Sequence, residues 1–272
     1  MHKITHKVWG GLNKLTANIS LKIKSDTLRS FLEGSEVIPH IQPIFSNDGD
    51  TVIGCEVLLR IRSKGEFLTP SSFIYDLEIH NMYDDVVCQL IKRTWLFFTS
   101  YKSLLPKGFY FSFNLYASQL KSSPVIDEIS FFKDTFKDHA VLVIEIIDRD
   151  VDTLDDDAIT VIDSLMSCGI QFAIDNFGIG AAQLKIIEHI GFSQVKIARE
   201  LTINSCGELV YKNVIAAIVM LSHKLGIKVI ADGVESSEQI TLLEKAGVDG
   251  MQGYFLAKPM PMDMFIFSFI TR

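Results

Sequence analysis

Residues 109–147 have the sequence FYFSFNLYASQLKSSPVIDEISFFKDTFKDHAVLVIEII. Short apolar runs at residues 109–115 and 141–147 enclose a stretch with helical periodicity. A strand, a helix and a second strand in this order form a βαβ unit, whose two strands lie parallel in one sheet. Runs without polar alternation are typical of strands that are buried on both faces of such a sheet.

The same alternation of apolar runs and helical stretches continues towards the C-terminus. The further runs are residues 171–174, 194–197, 228–231 and 250–255. Upstream, residues 37–45 and 52–60 are typical of two strands, and the Asp48-Gly49 turn between them predicts an antiparallel hairpin. Residues 81–101 repeat apolar side chains near the helical period. These patterns predict an α/β fold, and a closed barrel accommodates the number of strands better than an open sheet does.

Composition limits the class of protein. The 272 residues are 48% hydrophobic and 22% charged, which suffices for one large core. The net charge of −7 argues against a DNA-binding protein, although bound cations could still recruit a phosphorylated ligand. The 4 cysteines form no CxxC pair and are interpreted as reduced core thiols. No run approaches the roughly 20 apolar residues of a membrane span and no signal peptide is visible, so we expect a cytoplasmic protein.

The N-terminal segment differs in composition from the rest of the chain. Residues 1–35 are basic and contain a short amphipathic piece, whereas the regular pattern begins directly after them. We predict a leader segment at residues 1–35 and a barrel domain at residues 36–272. The leader is either a loosely attached helix or a segment that docks on a partner or a membrane surface.

Polar side chains interrupt or follow the apolar runs near their C-terminal ends. They are Glu56, Asn114, Glu145, Asp175, Lys196, Asp232 and Gln252. A charged group in an apolar strand costs free energy unless it is paired or binds a metal. In a parallel barrel these strand ends meet at one rim, where active sites are built. The pattern therefore predicts one shared functional site.

The residue types narrow the chemistry of that site. Two glutamates, an aspartate and an amide oxygen form an all-oxygen ligand set, which suits Mg²⁺ or Mn²⁺ better than zinc. Paired cations of this kind serve phosphoryl chemistry. Lys196 would add a compact positive charge beside them.

Several short motifs, taken in order, resemble the signatures of the EAL family. They are QPI (42–44), EVLLR (56–60), NL (114–115), EIID (145–148), DNFGIG (175–180), KIA (196–198), ADGVE (231–235) and QGY (252–254). The resemblance runs from about residue 37 to the C-terminus. It implies a modified TIM-like (β/α)8 barrel with one antiparallel strand. It also implies metal-dependent hydrolysis of cyclic di-GMP to linear pGpG.

The resemblance assigns roles residue by residue. The implied metal ligands are Glu56, Asn114, Glu145, Asp175 and Asn176. The implied catalytic residues are Lys196, which helps to place the attacking water, and Glu56, Asp232 and Glu235. The implied contacts to cyclic di-GMP are Gln42, Arg60, Asn114, Gln252 and Pro259, together with the segment 67–74. A homodimer is a further family expectation.

The chain departs from the family pattern around the second metal. Asn176 stands where an aspartate is usual, and Ala198 where a second-metal aspartate is common. Asp148 and Asp232 are each one methylene shorter than the usual glutamate. Loss of two formal charges should weaken the binding of a second cation. Two hypotheses therefore stay open. One is a cyclic di-GMP phosphodiesterase, and the other is an inactive EAL module that senses cyclic di-GMP or binds a regulatory protein partner.

Overall fold

The structure is a computed structural model, and it describes residues 29–271 except 64, 70–72, 75–76, 78–81, 148–153, 180–182, 184–186 and 188–190. The chain forms two compact units. One lies within residues 1–38 and 59–87, and the other comprises residues 39–58 and 88–272.

The strands are numbered in chain order. They are β1 (Ser35–Ser46), β2 (Val52–Ser63), β3 (Glu66–Leu68), β4 (Tyr110–Leu115), β5 (Val141–Ile146), β6 (Gln171–Phe177), β7 (Gln194–Ile197), β8 (Asn204–Ser205), β9 (Glu208–Leu209), β10 (Lys228–Ala231), β11 (Gly250–Met251) and β12 (Met260–Pro261). Ten of them form one sheet in the order β12-β1-β11-β10-β7-β6-β5-β4-β2-β3. An additional pairing of β1 with β2 closes the sheet into a ring.

The closed ring is a barrel with one antiparallel strand. Strands β2, β4, β5, β6, β7, β10 and β11 run parallel to one another, as in the β4–β5 register Asn114↔Glu145. Strand β1 pairs antiparallel with β11, with Phe45 opposite Met251. The predicted modified (β/α)8 barrel is therefore confirmed, including its antiparallel strand.

Helices follow the strands along the chain. They are α1 (Tyr83–Phe98), α2 (Ser123–Phe136), α3 (Asp156–Ser167), α4 (Lys212–Lys224), α5 (Ser237–Ala246) and α6 (Met262–Phe265), with 3₁₀ turns at Thr99–Leu104 and Ala117–Lys121 and a π-helical turn at Ile266–Ile270. Helix α3 is capped by Asp155, which accepts a hydrogen bond from the Ala158 N–H. Helix α5 begins with the same kind of cap at Ser236 and ends at Gly247, whose φ of 85° suits glycine.

The core lies between the barrel strands and the surrounding helices. Phe111 of β4 packs edge-on against Phe132 and near Phe136, both from α2, and all three rings are buried. Inside the barrel, Tyr110 and Ile230 belong to a buried cluster with further residues of the strands. This cluster forms part of the apolar interior of the barrel.

The first unit contains a short antiparallel pairing at the end of β2. Ile61 lies opposite Leu68 of β3, and Arg62 forms an exposed ion pair with Glu36. Residues 29–33 are helical. Most of the predicted leader lies outside the described residues, so the boundary at residue 35 stays a prediction.

The prediction of a strand at residues 250–255 was too long. Strand β11 ends at Met251, because Gly253 approaches the backbone of Val234 and the chain then turns. A Cβ on Gly253 would lie 2.2 Å from the Val234 nitrogen. Strand β6, in contrast, extends three residues past the predicted 171–174, to Phe177, and carries Asp175 and Asn176.

Candidate active site

A cavity of about 410 Å³ opens at the carboxyl ends of the barrel strands. Its lining residues come from β1, β2, β4, β6 and β7 and from the segments that follow β7, β10 and β11. They are Gln42, Glu56, Leu58, Asn114, Asp175, Asn176, Lys196, Arg199, Asp232, Gly233, Glu235, Gly253 and Tyr254. The convergence of these polar residues at one rim is the arrangement that parallel strands produce.

Lys196 occupies the centre of a buried ionic cluster. Its Nζ lies 2.6 Å from Oε2 of Glu56 and 3.5 Å from Oε2 of Glu145. All three residues are buried, with exposed fractions of 6% or less. A buried charge is tolerated when it is paired, and here one ammonium group serves two carboxylates.

Two amides complete the surroundings of Glu56. The Asn114 side chain donates a hydrogen bond of 2.6 Å to Oε1, and the Gln252 side chain donates one of 2.9 Å to Oε2. Asn114 is also the register neighbour of Glu145 in β4–β5. Glu56 is therefore held by three donors from three strand ends, because Lys196 is the third.

Asp175 and Asn176 lie at the end of β6, next to a register irregularity. The Asn176 amide donates a hydrogen bond of 2.8 Å to Oδ2 of Asp175. Asn176 has a φ of 52°, which is left-handed, and asparagine is among the residues that adopt this conformation most readily. Asn176 thus donates a hydrogen bond to the carboxylate of its neighbour and adds no negative charge of its own.

The segment after β10 is fixed to the segment after β7. Asp232 accepts a hydrogen bond from the Gly233 N–H through its side chain and one from the Thr202 hydroxyl through its backbone carbonyl, both at 2.7 Å. A Cβ on Gly233 would lie only 2.4 Å from Cβ of Arg199. Glycine is therefore required where these two segments touch, and Arg199 is held against the cavity.

The carboxylates of the site do not ionise alike. Burial opposes ionisation of Glu56, but Lys196 and the hydrogen bonds that Glu56 receives outweigh it, so its pKa is lowered. Burial raises the pKa of Glu145 to about 8, and that of Asp175 to about 6, with further increases from neighbouring carboxylates such as Glu56. Burial also raises the pKa of Asp232.

The lysine has the opposite behaviour. Burial disfavours its charged form, but Glu145, Glu56, Asp232 and Asp175 together raise the pKa of Lys196 well above its usual value. The site therefore contains a permanent ammonium group surrounded by an excess of acids. Such a set of perturbed groups in a cavity is typical of functional sites.

The donor atoms of the cavity suit a hard divalent cation in their chemistry. Oε2 of Glu145 and Oε1 of Gln252 are buried without a hydrogen-bond partner within the described ranges. Glu56, Asn114 and Asp175 line the same cavity. In the part of the chain that is described, however, no three acidic, histidine or cysteine side chains already surround a common point. Since Lys196 stands between two of the acids, metal binding would require these side chains to turn.

The sequence predictions for the site fall into three groups. The predicted residues Gln42, Glu56, Asn114, Asp175, Asn176, Lys196, Asp232 and Glu235 line the cavity, and Glu145 and Gln252 contact its ionic cluster. Pro259 does not line it, so its role as a ligand contact gains no support. Arg60 belongs to the other compact unit and donates a hydrogen bond to the Leu59 carbonyl. Asp148 and residues 70–72 of the segment 67–74 lie outside the described residues.

Among the polar side chains that line the cavity, sequence reasoning assigned no role to two. Arg199 lines it and forms a 3.3 Å ion pair with Glu235. Tyr254 lines it with 61% of its surface exposed. Tyr254 was inside a recognised motif, and Arg199 directly followed one, so the available signal was their position beside residues already identified.

The chain belongs to the EAL domain family, since the model of that family matches residues 25–259. Cyclic di-GMP phosphodiesterase PdeL of Escherichia coli is 29% identical over 243 residues, which are 89% of this chain and 67% of PdeL. Cyclic di-GMP phosphodiesterase RocR of Pseudomonas aeruginosa is 30% identical over 244 residues, which are 89% of this chain and 62% of RocR. The chain thus spans about two thirds of the length of these relatives.

A solved structure of similar fold supports the same assignment. The PaMucR phosphodiesterase in complex with c-di-GMP is 25% identical and superposes with a TM-score of 0.70, covering 88% of this chain and 97% of that one. No helix in the described part of this chain combines the length and the hydropathy that crossing a membrane requires.

Proposed function

We propose that this chain is a divalent-metal-dependent phosphodiesterase that hydrolyses cyclic di-GMP to linear pGpG. The observation that carries the proposal is the buried contact of 2.6 Å between Lys196 and Glu56 inside an oxygen-rich cavity. Membership of the EAL family supports it, as do relatives named for this activity.

The metal ligands would come from the acids and amides of the cavity. Glu56, Asn114 and Asp175 line it directly, and Glu145 contributes a buried oxygen that accepts no hydrogen bond from the described residues and lies 3.5 Å from Nζ of Lys196. These hard oxygen donors favour Mg²⁺ or Mn²⁺. The chemistry that such a cation supplies is activation of a water nucleophile and compensation of charge on the phosphoryl group.

The remaining side chains would bind and orient. Lys196 keeps its proton, so its role is to hold a water or a phosphate oxygen by donating hydrogen bonds and not to act as a base. Gln252 and Asn114 fix the orientation of Glu56. Asp232 lines the same cavity as Glu56 and Asp175, where it could accept a proton from an attacking water.

A second function is favoured by two specific residues. Ala198 is buried and provides no ligand atom, and the amide of Asn176 is engaged with Asp175. If a second cation is needed for turnover, the chain would bind cyclic di-GMP without hydrolysing it and act as a sensor or as the partner of a regulatory protein. The homodimer and the cytoplasmic location stay predictions.

One incubation separates these functions. Purified chain is mixed with cyclic di-GMP and Mg²⁺ or Mn²⁺, and the products are resolved by chromatography beside the Glu56→Ala variant. Linear pGpG that disappears in the variant supports the enzyme. Binding by calorimetry without product supports the sensor. Absence of both binding and product rejects the enzyme and the sensor and leaves binding of a regulatory protein partner.

A further inference from the structure

The cavity contains more acidic than basic side chains, which disfavours binding of a phosphate ligand. Its acids are Glu56, Asp175, Asp232 and Glu235, with Glu145 directly behind Lys196. Within the described lining, the cations are Lys196 and Arg199. Apart from a bound metal ion, an anionic ligand therefore depends on whichever of these two side chains is free to contact it.

Lys196 is buried and engaged with two acids of the protein. Only 7% of its side chain is exposed, and its ammonium group lies between two buried carboxylates. If Lys196 moved away from Glu56 to reach a ligand, Glu56 would remain as a buried negative charge without this cation, which is costly in free energy. Lys196 can therefore serve the reacting atoms beside it but not the outer part of a ligand.

Arg199 is in the opposite situation. Its side chain is 66% exposed, and its ion pair with Glu235, which is equally exposed, is a single contact of 3.3 Å. Exposed ion pairs of this kind contribute little stability, so exchange for another anion is easy. The stem of the side chain is nevertheless well placed, because it packs against Gly233, where no Cβ fits.

We propose that Arg199 is a ligand-binding residue of this site, which exchanges Glu235 for a phosphodiester group of the bound dinucleotide. This inference rests on the proposed binding of cyclic di-GMP. A guanidinium group matches two phosphate oxygens with two parallel N–H donors, a geometry that an ammonium group lacks. The neighbouring Ala198 and Asn176 offer no carboxylate to a second metal ion. Arg199 thereby supplies positive charge that such an ion would otherwise bring.

The test compares three variants of the full chain in the presence of Mg²⁺. Arg199→Gln removes the charge, Arg199→Lys keeps it without the planar group, and Lys212→Gln is the matched control. Lys212 is likewise exposed and paired with one glutamate, Glu208, but it does not line the cavity. The readouts are KM and kcat for cyclic di-GMP, or Kd by calorimetry if the chain binds without turnover, with thermal unfolding to check folding.

The expected result is an increase of KM or Kd by about 10-fold or more for Arg199→Gln, with kcat within about 3-fold, because the contact is present in both ground and transition states. Arg199→Lys should fall between the wild type and Arg199→Gln, and Lys212→Gln should match the wild type. An unchanged KM in Arg199→Gln overturns the inference, as does an Arg199→Lys variant no better than Arg199→Gln. A wild-type chain that neither binds nor hydrolyses cyclic di-GMP rejects the proposed function itself, which is a different result.

Discussion

The Nζ atom of Lys196 lies 2.6 Å from Oε2 of Glu56, although 140 positions separate the two residues in the chain. Both side chains are buried, and Glu56 receives further hydrogen bonds from Asn114 and Gln252. The contact joins β2 to β7 across the mouth of the barrel, so it serves the fold and the site together.

Removing one member of this pair should destabilise the protein strongly. Lys196→Met leaves Glu56 and Glu145 buried without a cation, which we expect to lower the free energy of unfolding by about 3 to 5 kcal/mol. Urea unfolding measures the effect. Adding Glu56→Gln to Lys196→Met should restore part of the loss, whereas Lys212→Gln, at an exposed ion pair, should change little. A Lys196→Met variant as stable as the wild type would show that the Lys196–Glu56 pair is not buried in solution.

The stability of the metal-free protein should depend on pH. The pKa of Glu145 is raised from its usual value of 4.5 to about 8, so the folded state binds this proton more tightly than the unfolded state. The associated stability is fully present below the usual pKa and is lost as the pH rises through about 8. The pKa of Asp175 is raised from 3.8 to about 6, so this group adds a loss of stability over a lower pH range.

Thermal unfolding in a chelator tests this pH dependence. We expect the midpoint temperature of the wild type to decrease as the pH is raised from about 5 to about 8. The decrease should be much smaller in Glu145→Gln. Added Mn²⁺ should restore stability at the higher pH, since a bound cation favours the ionised acids. A wild-type midpoint that rises over this range would contradict the raised pKa of Glu145.

Asn176→Asp should raise metal affinity at the cost of metal-free stability. The asparagine amide now donates to Asp175, whereas an aspartate there would place two like charges side by side. The left-handed φ of 52° is tolerated by both residue types, so the backbone need not change. Calorimetry with Mn²⁺ should give an affinity about 10-fold tighter, because a carboxylate binds such a cation better than an amide does. Equal affinities in the two proteins would remove Asn176 as the cause of a weak second site.

Gly253→Ala should disrupt the rim of the cavity. Its Cβ would lie 2.2 Å from backbone atoms of Val234, so the segment carrying Tyr254 would have to move. We expect a loss of about 1 to 3 kcal/mol in the free energy of unfolding, together with weaker binding of cyclic di-GMP. Gly108→Ala separates close approach from backbone strain, because open space surrounds Gly108 but its φ of 80° strains any other residue. A loss confined to Gly108→Ala would mean that backbone conformation and not close approach sets the cost.

Much of the barrel was predictable from the sequence because buried parallel strands form apolar runs. The runs at 194–197 and 228–231 coincide with β7 and β10, and the Asp48-Gly49 turn joins β1 and β2 as predicted. The short strands β3, β8, β9 and β12 were not predicted, since pairs of two or three residues leave no periodic pattern.

The composition of the candidate site was also predictable, but its contacts were not. Polar residues at strand ends mark the site, because the topology of a parallel barrel brings these ends together. No pattern in the sequence indicates that Lys196 forms an ion pair with Glu56, or that Arg199 forms one with Glu235. Such pairings depend on the stagger of strands around the closed barrel, which a linear pattern does not contain.

The most direct test of the account is to locate the cation. Crystals of the wild-type chain grown with Mn²⁺ and cyclic di-GMP would show the metal by its anomalous scattering. We predict a peak in the cavity bordered by Glu56, Asn114 and Asp175, with a phosphodiester oxygen beside it. Cyclic di-GMP bound in the cavity without such a peak, or a peak at a different place in the protein, would contradict the metal-dependent mechanism.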